Sequence, residues 1–267
     1  MGESRTKNAI KNFNLGAVSQ VVNTLIMFFV RTVFIKTLGE EYLGVNGLFT
    51  NILTVLSFAE LGIGNAIIYS MYKPISEDDK SKINGLLKLY KKSYTIIGII
   101  VISIGLLIAP FIKFLIKDSP NISENLILIY ILFLANTSLS YFFTYKKSII
   151  SAHQKEYVIN NYRIVFHLIK GVLQILFLLL TRNFILYLLI QILCTLLENI
   201  SLSRKANKMY AYIKNKEKTD VSKEEKRQIF KNVKALVVYK FRFSNIKWNR
   251  QHNNIKNNWY CYGRDIF

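Results

Sequence analysis

Cysteine is scarce, with only Cys194 and Cys261 in 267 residues. Neither has a metal-ligand spacing or a partner set for a disulfide framework, so no metal site is expected and both thiols read as inert. The signatures of common active sites are absent as well. The chain has no GxxxxGK[ST] phosphate loop, no GxSxG nucleophile turn and no HExxH metal helix. No catalytic residue and no cofactor is therefore expected, and the chain is not expected to be an enzyme. Also missing are long polar segments on one side of the apolar runs. Residues 39–42, 117–125 and the neighbourhood of 182 are too short to fold into a catalytic or receptor domain. Nor do the apolar runs alternate: TIIGIIVISIGLLIAPFI lacks polar residues at every second position, which excludes a membrane barrel. The first apolar run exceeds a signal-peptide core and lacks a small-residue cleavage site, so it is expected to remain as a span.

What is present is apolar length. A hydrocarbon core of about 30 Å needs roughly 20 helical residues to cross it. Six runs approach or exceed that length: 15–38, 43–72, 94–116, 126–145, 158–181 and 184–202. The second is long enough to be tilted or broken. An all-α integral membrane lobe of six transmembrane helices, over residues 15–203, follows.

The loops fix its orientation, because short basic segments resist translocation. Residues 1–14, the 73–92 and 146–155 loops and the segment from Arg204 to Lys231 together hold 22 Lys and Arg, against 4 (Lys36, Lys113, Lys117, Arg182) in the loops between them. The N-terminus and everything after the sixth span are therefore expected on the cytoplasmic side of the cell membrane. The formal net charge of +20 becomes an inner-leaflet feature that attracts anionic membrane lipids. It is spread over membrane loops, so no nucleic-acid partner is expected. Residues 204–232 read as a solvated basic linker, partly helical towards its end.

Polar residues inside a span are expensive, so a stripe of them at helical spacing marks a face turned to protein or water. Gly16, Gln20, Asn23, Met27 and Arg31 form one such stripe in the first span. Asn46, Thr50, Thr54, Ser57, Glu60 and Gly64 form another in the second. Packing between helices and a polar cavity both account for the neutral members. The fifth span carries Arg163, His167 and Lys170 on one face. Arg163 is close enough to the cytoplasmic end to snorkel. Lys170, about 18 Å into the helix from Val158 at ~1.5 Å per residue, is too deep for that. It needs an acidic partner, a wet cavity or an anionic ligand.

Arg31 and Glu60 lie at different depths, which argues against a direct pair. Glu198, near the cytoplasmic end of the sixth span, is expected to pair with Arg204 or Lys205. Gly62 and Gly64 allow the second helix to bend, and close packing explains them equally well.

The segment TLGEEYLGVNGLFTNILTVLSFAELGIGNAIIYSMYKPISEDD, residues 37–79, resembles the start of Wzx-type polysaccharide flippases. In that family a T-LG-EYLG-NGLF block joins the first two spans and FAELGIG closes the second. The resemblance runs from residue 10 to about 241, including KALVVYKF, which opens a seventh span in that family. It implies a MATE-like member of the MOP flippase superfamily, in which two lobes of six helices move an undecaprenyl-pyrophosphate-linked oligosaccharide for capsule or O-antigen synthesis. The implied partners are that lipid-linked oligosaccharide and other polysaccharide-assembly membrane proteins. A pyrophosphate crossing hydrocarbon needs buried cations to replace its hydration, and Arg31, Arg163, His167 and Lys170 are the candidates. Glu60 and Glu198, with Gly62 and Gly64, are candidates for coupling or gating. A drug or ion antiporter of the same fold and a membrane polysaccharide polymerase remain the alternatives.

After Phe241 the composition breaks. RFSNIKWNRQHNNIKNNWYCYGRDIF has no apolar period, whereas the family continues a helix that begins at 233–241. With AT-rich codons, a shift of one base turns the start of this tail into GSVILNGTDNIIIS. Residues 242–267 are therefore expected to be a frameshifted tail on an N-terminal half, and such a half is expected to be inactive alone.

Overall fold

In the computed structural model the described residues are 5–60, 62–115, 120, 122–214, 221–222, 224–229, 231 and 233. The expected tail at 242–267, with Cys261, lies outside the described residues, as does the expected seventh helix at 233–241 apart from Val233.

Among the described residues the chain is all-helical. The elements are α1 (Arg5–Leu38), α2 (Glu40–Leu56), α3 (Ile63–Ser76), α4 (Lys80–Ile108), α5 (Ile112–Leu115), α6 (Leu126–Ala152), α7 (Glu156–Thr181) and α8 (Phe184–Met209). Five stretches, beginning at Thr6, Lys80, Leu126, Glu156 and Phe184, are long and apolar enough to cross a membrane. The second predicted span is the exception. It is divided into α2 and α3 by a single 3-10 turn at Ser57–Glu60, so of the two possibilities left by its length, breakage is the one realised.

The continuous helices also overrun the apolar runs that announce them. Hydropathy marks where lipid begins, whereas a helix continues into water until something caps it. Asp79 starts α4 by accepting the backbone N–H of Lys82 at 2.9 Å. Asn125 does the same for α6 through Ile127 (2.9 Å), and Asn183 for α8 through Leu186 (3.0 Å). These are side-chain caps on otherwise orphaned donors. The N-terminal extension of α1 is pinned to the α6–α7 turn by Asn12, whose carboxamide donates to the Gln154 carbonyl and accepts from Tyr157 N–H, both at 2.8 Å.

Packing runs in pairs: α1 along α7, α6 against α8 and α4, α7 against α8, and α3 against α4. Lipid gives apolar side chains no reason to leave it, so close approach must come from small residues and shape. Gly171 of α7 supplies it against α1: a Cβ there would stand 2.6 Å from Ile26 Cγ2. Aromatic rings fill the centre and the end at which α8 begins. Phe49 meets Tyr130 and Phe133 edge-on at 5.4 and 5.8 Å, and Phe34 meets Phe184 and Tyr187 at 5.6 and 5.1 Å. The outer surface of α1 and α7 remains apolar and exposed, with Leu25, Phe29, Val172 and Leu180 among its residues, as a lipid-facing wall requires.

The segment after α8, expected from its charge to be solvated, is docked in part. Val221 and Ile229 are buried, Asn84 of α4 donates to the Tyr212 carbonyl at 3.1 Å, and Lys82 pairs with Glu225. Hydrogen bonding within that pair holds Glu225 below the ordinary carboxylate value and Lys82 above the ordinary ammonium value. A few apolar residues among many lysines are enough to seat this segment on the start of α4.

Candidate functional site

The polar stripes of α1 and α2 and the basic stripe of α7 converge. Between α1, α2, α7 and α8 lies a cavity of about 600 Å³, lined by Asn23, Arg31, Asn46, Thr50, Asn51, His167, Lys170, Gln174, Tyr187 and Gln191 among others. α1 presents Asn23, Met27 and Arg31 at intervals of four, the spacing that keeps residues on one helical face. His167, Lys170 and Gln174, at intervals of three and four, also share one face of α7.

His167 is positioned from across the cavity. Its Nδ1 donates to Asn23 Oδ1 at 2.6 Å, which fixes the proton on Nδ1 and leaves Nε2 as the ring's free edge. Lys170 is half-buried about one turn deeper. Gln174, 3% exposed, donates to the Tyr187 carbonyl at 3.4 Å. Among the described residues no carboxylate lies within ion-pair distance of Arg31, His167 or Lys170, and none lines the cavity.

Arg163 departs from the expected cluster. It is not among the lining residues. It is exposed and donates to Asn160 Oδ1 at 3.4 Å. One turn, about 6 Å along the axis, carries it past the cavity towards the start of α7, where a guanidinium can reach water. Glu198 also departs. Its ion-pair partner is Lys147 of α6, at 3.9 Å, and not Arg204 or Lys205. Lys147 stands near the end of α6, and the packing of α6 on α8 brings it beside Glu198. Linear sequence does not display that juxtaposition.

Arg31 and Glu60 are not paired, in line with their depths. Glu60 ends the 3-10 turn of the broken span, and its Oε1 accepts from the Tyr94 hydroxyl at 2.7 Å. Tyr90 stacks on Tyr94, with centroids 4.4 Å apart and planes 14° apart. Tyr141 donates to Ser57 Oγ at 3.2 Å. Gly62 caps α3 in the left-handed region (φ 87°), where a side chain would be strained. Gly64 lies directly beneath the two tyrosine hydroxyls: a Cβ there would collide with Tyr94 Oη and stand 2.8 Å from Tyr90 Oη. Bending and close packing, the two explanations open for these glycines, thus fall to one glycine each.

Sequence reasoning misses Asn51, Gln174, Tyr187 and Gln191 in the cavity and the tyrosines around Glu60. Gln174 is within its reach, since it continues the 163, 167, 170 series by one more turn. The Tyr90–Tyr94 pair also has helical spacing. Asn51 adjoins the Asn46–Thr50 stripe but falls off its spacing, and Gln191 sits alone in an apolar run and gives no signal.

No protein-family model matches the chain, and no curated protein does. Two solved structures do. One is a multidrug-resistance MATE-family transporter of the MOP superfamily in an outward-facing conformation, at TM-score 0.57 and 18% identity, covering 86% of this chain and 50% of that one. The other is a MOP-superfamily transporter from Pyrococcus furiosus, described as having a binding pocket of reverse polarity that suggests a different function. It matches at TM-score 0.58 and 16% identity over 88% of this chain and 51% of that one. The chain spans about half the length of each. This multi-pass, all-helical membrane chain therefore has the fold of one half of a MATE/MOP-type transporter.

Proposed function

We propose that this chain forms the cation-lined lobe of a carrier that flips undecaprenyl-pyrophosphate-linked oligosaccharide repeat units across the cell membrane for surface polysaccharide synthesis. The observation that carries this is the charge of the cavity. Arg31 and Lys170 line it without a carboxylate among the lining residues, and an intramembrane ammonium in that position calls for an anionic ligand. Pyrophosphate offers several acceptor oxygens to such donors. The remaining lining suits the sugar: the carboxamides of Asn46, Asn51 and Gln191 and the hydroxyl of Thr50 pair with carbohydrate hydroxyls, and Tyr187 offers a ring to a sugar face.

A drug antiporter of the same fold is the nearest rival. Cationic drugs would meet like charge here, and that repulsion disfavours it. A polymerase would need an outer domain, for which residues 39–42 and the loop near 182 leave no length.

The test is lipid selectivity. The chain, in nanodiscs, is titrated with polyprenyl pyrophosphate, a polyprenyl-pyrophosphate oligosaccharide, the neutral polyprenol and a cationic MATE drug. Both pyrophosphate lipids are expected to bind at least about tenfold more tightly than the polyprenol, a difference of ~1.4 kcal/mol. Equal binding of all the prenyl lipids, or preference for the drug, refutes the proposal.

A further inference from the structure

Three lysines gather at the end of the bundle where α4 begins and α6 ends. Lys91 of α4 and Lys146 of α6 bring their Nζ atoms to 5.5 and 5.8 Å from the centroid of the Tyr145 ring. With Lys88, Asn84 and Ile213 they line a space of about 100 Å³. Among the described residues no aspartate or glutamate is part of that lining. The ring offsets some of the repulsion between the ammonium groups, and an anion seated among them would offset far more.

The pocket is built from three separate stretches of chain. Asn84 of α4, 6% exposed, donates to the Tyr212 carbonyl at 3.1 Å, and this holds the segment after α8 in place so that Ile213 completes the wall. Lys92, the next residue after Lys91, is exposed and outside the lining. Basic charge alone therefore does not define the pocket.

Depth identifies the anion. The apolar runs of these two helices start at Tyr94 and stop at Tyr145. At ~1.5 Å per residue Lys91 lies about 4.5 Å and Lys88 about 9 Å outside the first run, and Lys146 directly follows the second. The head-group layer is roughly 5–8 Å deep on each side of the hydrocarbon, so the three ammonium groups stand at the level of lipid phosphates. The surface below them is apolar. Phe142, one turn before Lys146, is exposed and lies over Gly98 of α4, and Ile99, three turns beyond Lys88 on the same face, is exposed as well. Acyl chains fit along that surface, whereas free phosphate gains nothing from it. The size fits too: with about a sixth of the volume of the Arg31–Lys170 cavity, the pocket takes one phosphate group and no oligosaccharide.

We propose that this pocket between α4, α6 and the segment after α8 binds the phosphate head group of an anionic phospholipid of the surrounding bilayer, with Lys88, Lys91 and Lys146 as its charged donors. Basic pockets between membrane helices recognise head groups in this way. The site lies apart from the Arg31–Lys170 cavity and does not depend on what that cavity carries.

Native mass spectrometry of the purified chain in detergent, titrated with phosphatidylglycerol, is the test, the tightest binding step being the one compared. Phosphatidylcholine, whose choline cancels the phosphate charge, is expected to bind at least about tenfold more weakly. The triple variant Lys88→Gln, Lys91→Gln, Lys146→Gln is expected to lose at least about tenfold in affinity for phosphatidylglycerol. A control that removes three exposed charges outside the pocket, Lys92→Gln, Arg204→Gln, Lys208→Gln, is expected to lose at most about threefold. Should the triple variant fail to purify as a folded protein, Lys88→Gln with Lys91→Gln, both at exposed positions, carries the comparison. Lys170→Ala, which discharges the other cavity, is expected to leave phosphatidylglycerol binding unchanged, and excess inorganic phosphate is expected to leave the lipid bound. Equal losses in the pocket and control variants, equal binding of the two lipids, loss of binding in Lys170→Ala, or displacement by inorganic phosphate overturns the proposal.

Discussion

Lys170→Ala is expected to weaken binding of a polyprenyl-pyrophosphate lipid by roughly tenfold to a hundredfold, while Arg163→Ala changes it by at most about fivefold. The first figure follows from removing a charge-assisted hydrogen bond, about 1.5–3 kcal/mol. The second is the size of a solvent-screened surface charge, ~0–1 kcal/mol. The two residues share one helix and a basic character, and sequence alone puts both in the site. They separate because the cavity includes Lys170 and excludes Arg163. Lys170→Arg retains the charge and is expected to retain most of the affinity. Titration of the lipid into nanodiscs carrying each variant measures all three. Equal losses for Lys170→Ala and Arg163→Ala would mean that charge at large, and not the cavity, attracts the lipid.

Gly171→Leu is expected to destabilise the lobe by about 1–3 kcal/mol and to abolish lipid binding with it. The first atom added at position 171 already falls 2.6 Å from Ile26 Cγ2. Ile26 is β-branched and stiff at χ1, so the strain passes to the α1 backbone, and overpacking of this kind carries a cost of that size. Ile26 also lines the cavity. Pushing α1 away therefore spreads the His167–Asn23 contact that bridges it. Val172→Leu is the control: Val172 is 63% exposed on the lipid side, where an added methylene meets only acyl chains. Thermal unfolding in detergent separates the two, with a clear drop for Gly171→Leu and none for Val172→Leu.

Much of this lobe is written in hydropathy. A 20-residue apolar run has few ways to satisfy its backbone other than a membrane helix, so the spans and their approximate number are legible. Which faces pack is also partly legible, because polar residues at helical spacing reveal a shared face. That spacing alone picks out Asn23, Arg31, His167 and Lys170, and the fold gathers all four around one cavity.

What sequence does not carry is contact between distant segments. For Glu198 it offers only near neighbours, six and seven residues away; the actual partner, Lys147, is brought to it by α6 packing on α8. Arg163 groups with His167 by angle around the helix, while the boundary of the cavity is set by position along it. The break at Ser57–Glu60 is foreshadowed by the length of its run and by two glycines. The three tyrosines that surround it come from α4 and α6, and each looks like an ordinary aromatic in an apolar stretch.

The most direct test of the central claim, that the α1, α2, α7 and α8 cavity receives the pyrophosphate end of a lipid-linked oligosaccharide, is photocrosslinking. A polyprenyl-pyrophosphate oligosaccharide carrying a diazirine on its first sugar is activated in nanodiscs containing the chain, and the labelled peptides are mapped by mass spectrometry. Labelling is expected on residues lining the cavity, Asn46 to Asn51 and His167 to Gln174 foremost, and is expected to fall when unlabelled pyrophosphate lipid competes. Labelling confined to the lipid-facing wall around Phe29, Val172 and Leu180, unaffected by competitor, would contradict the claim.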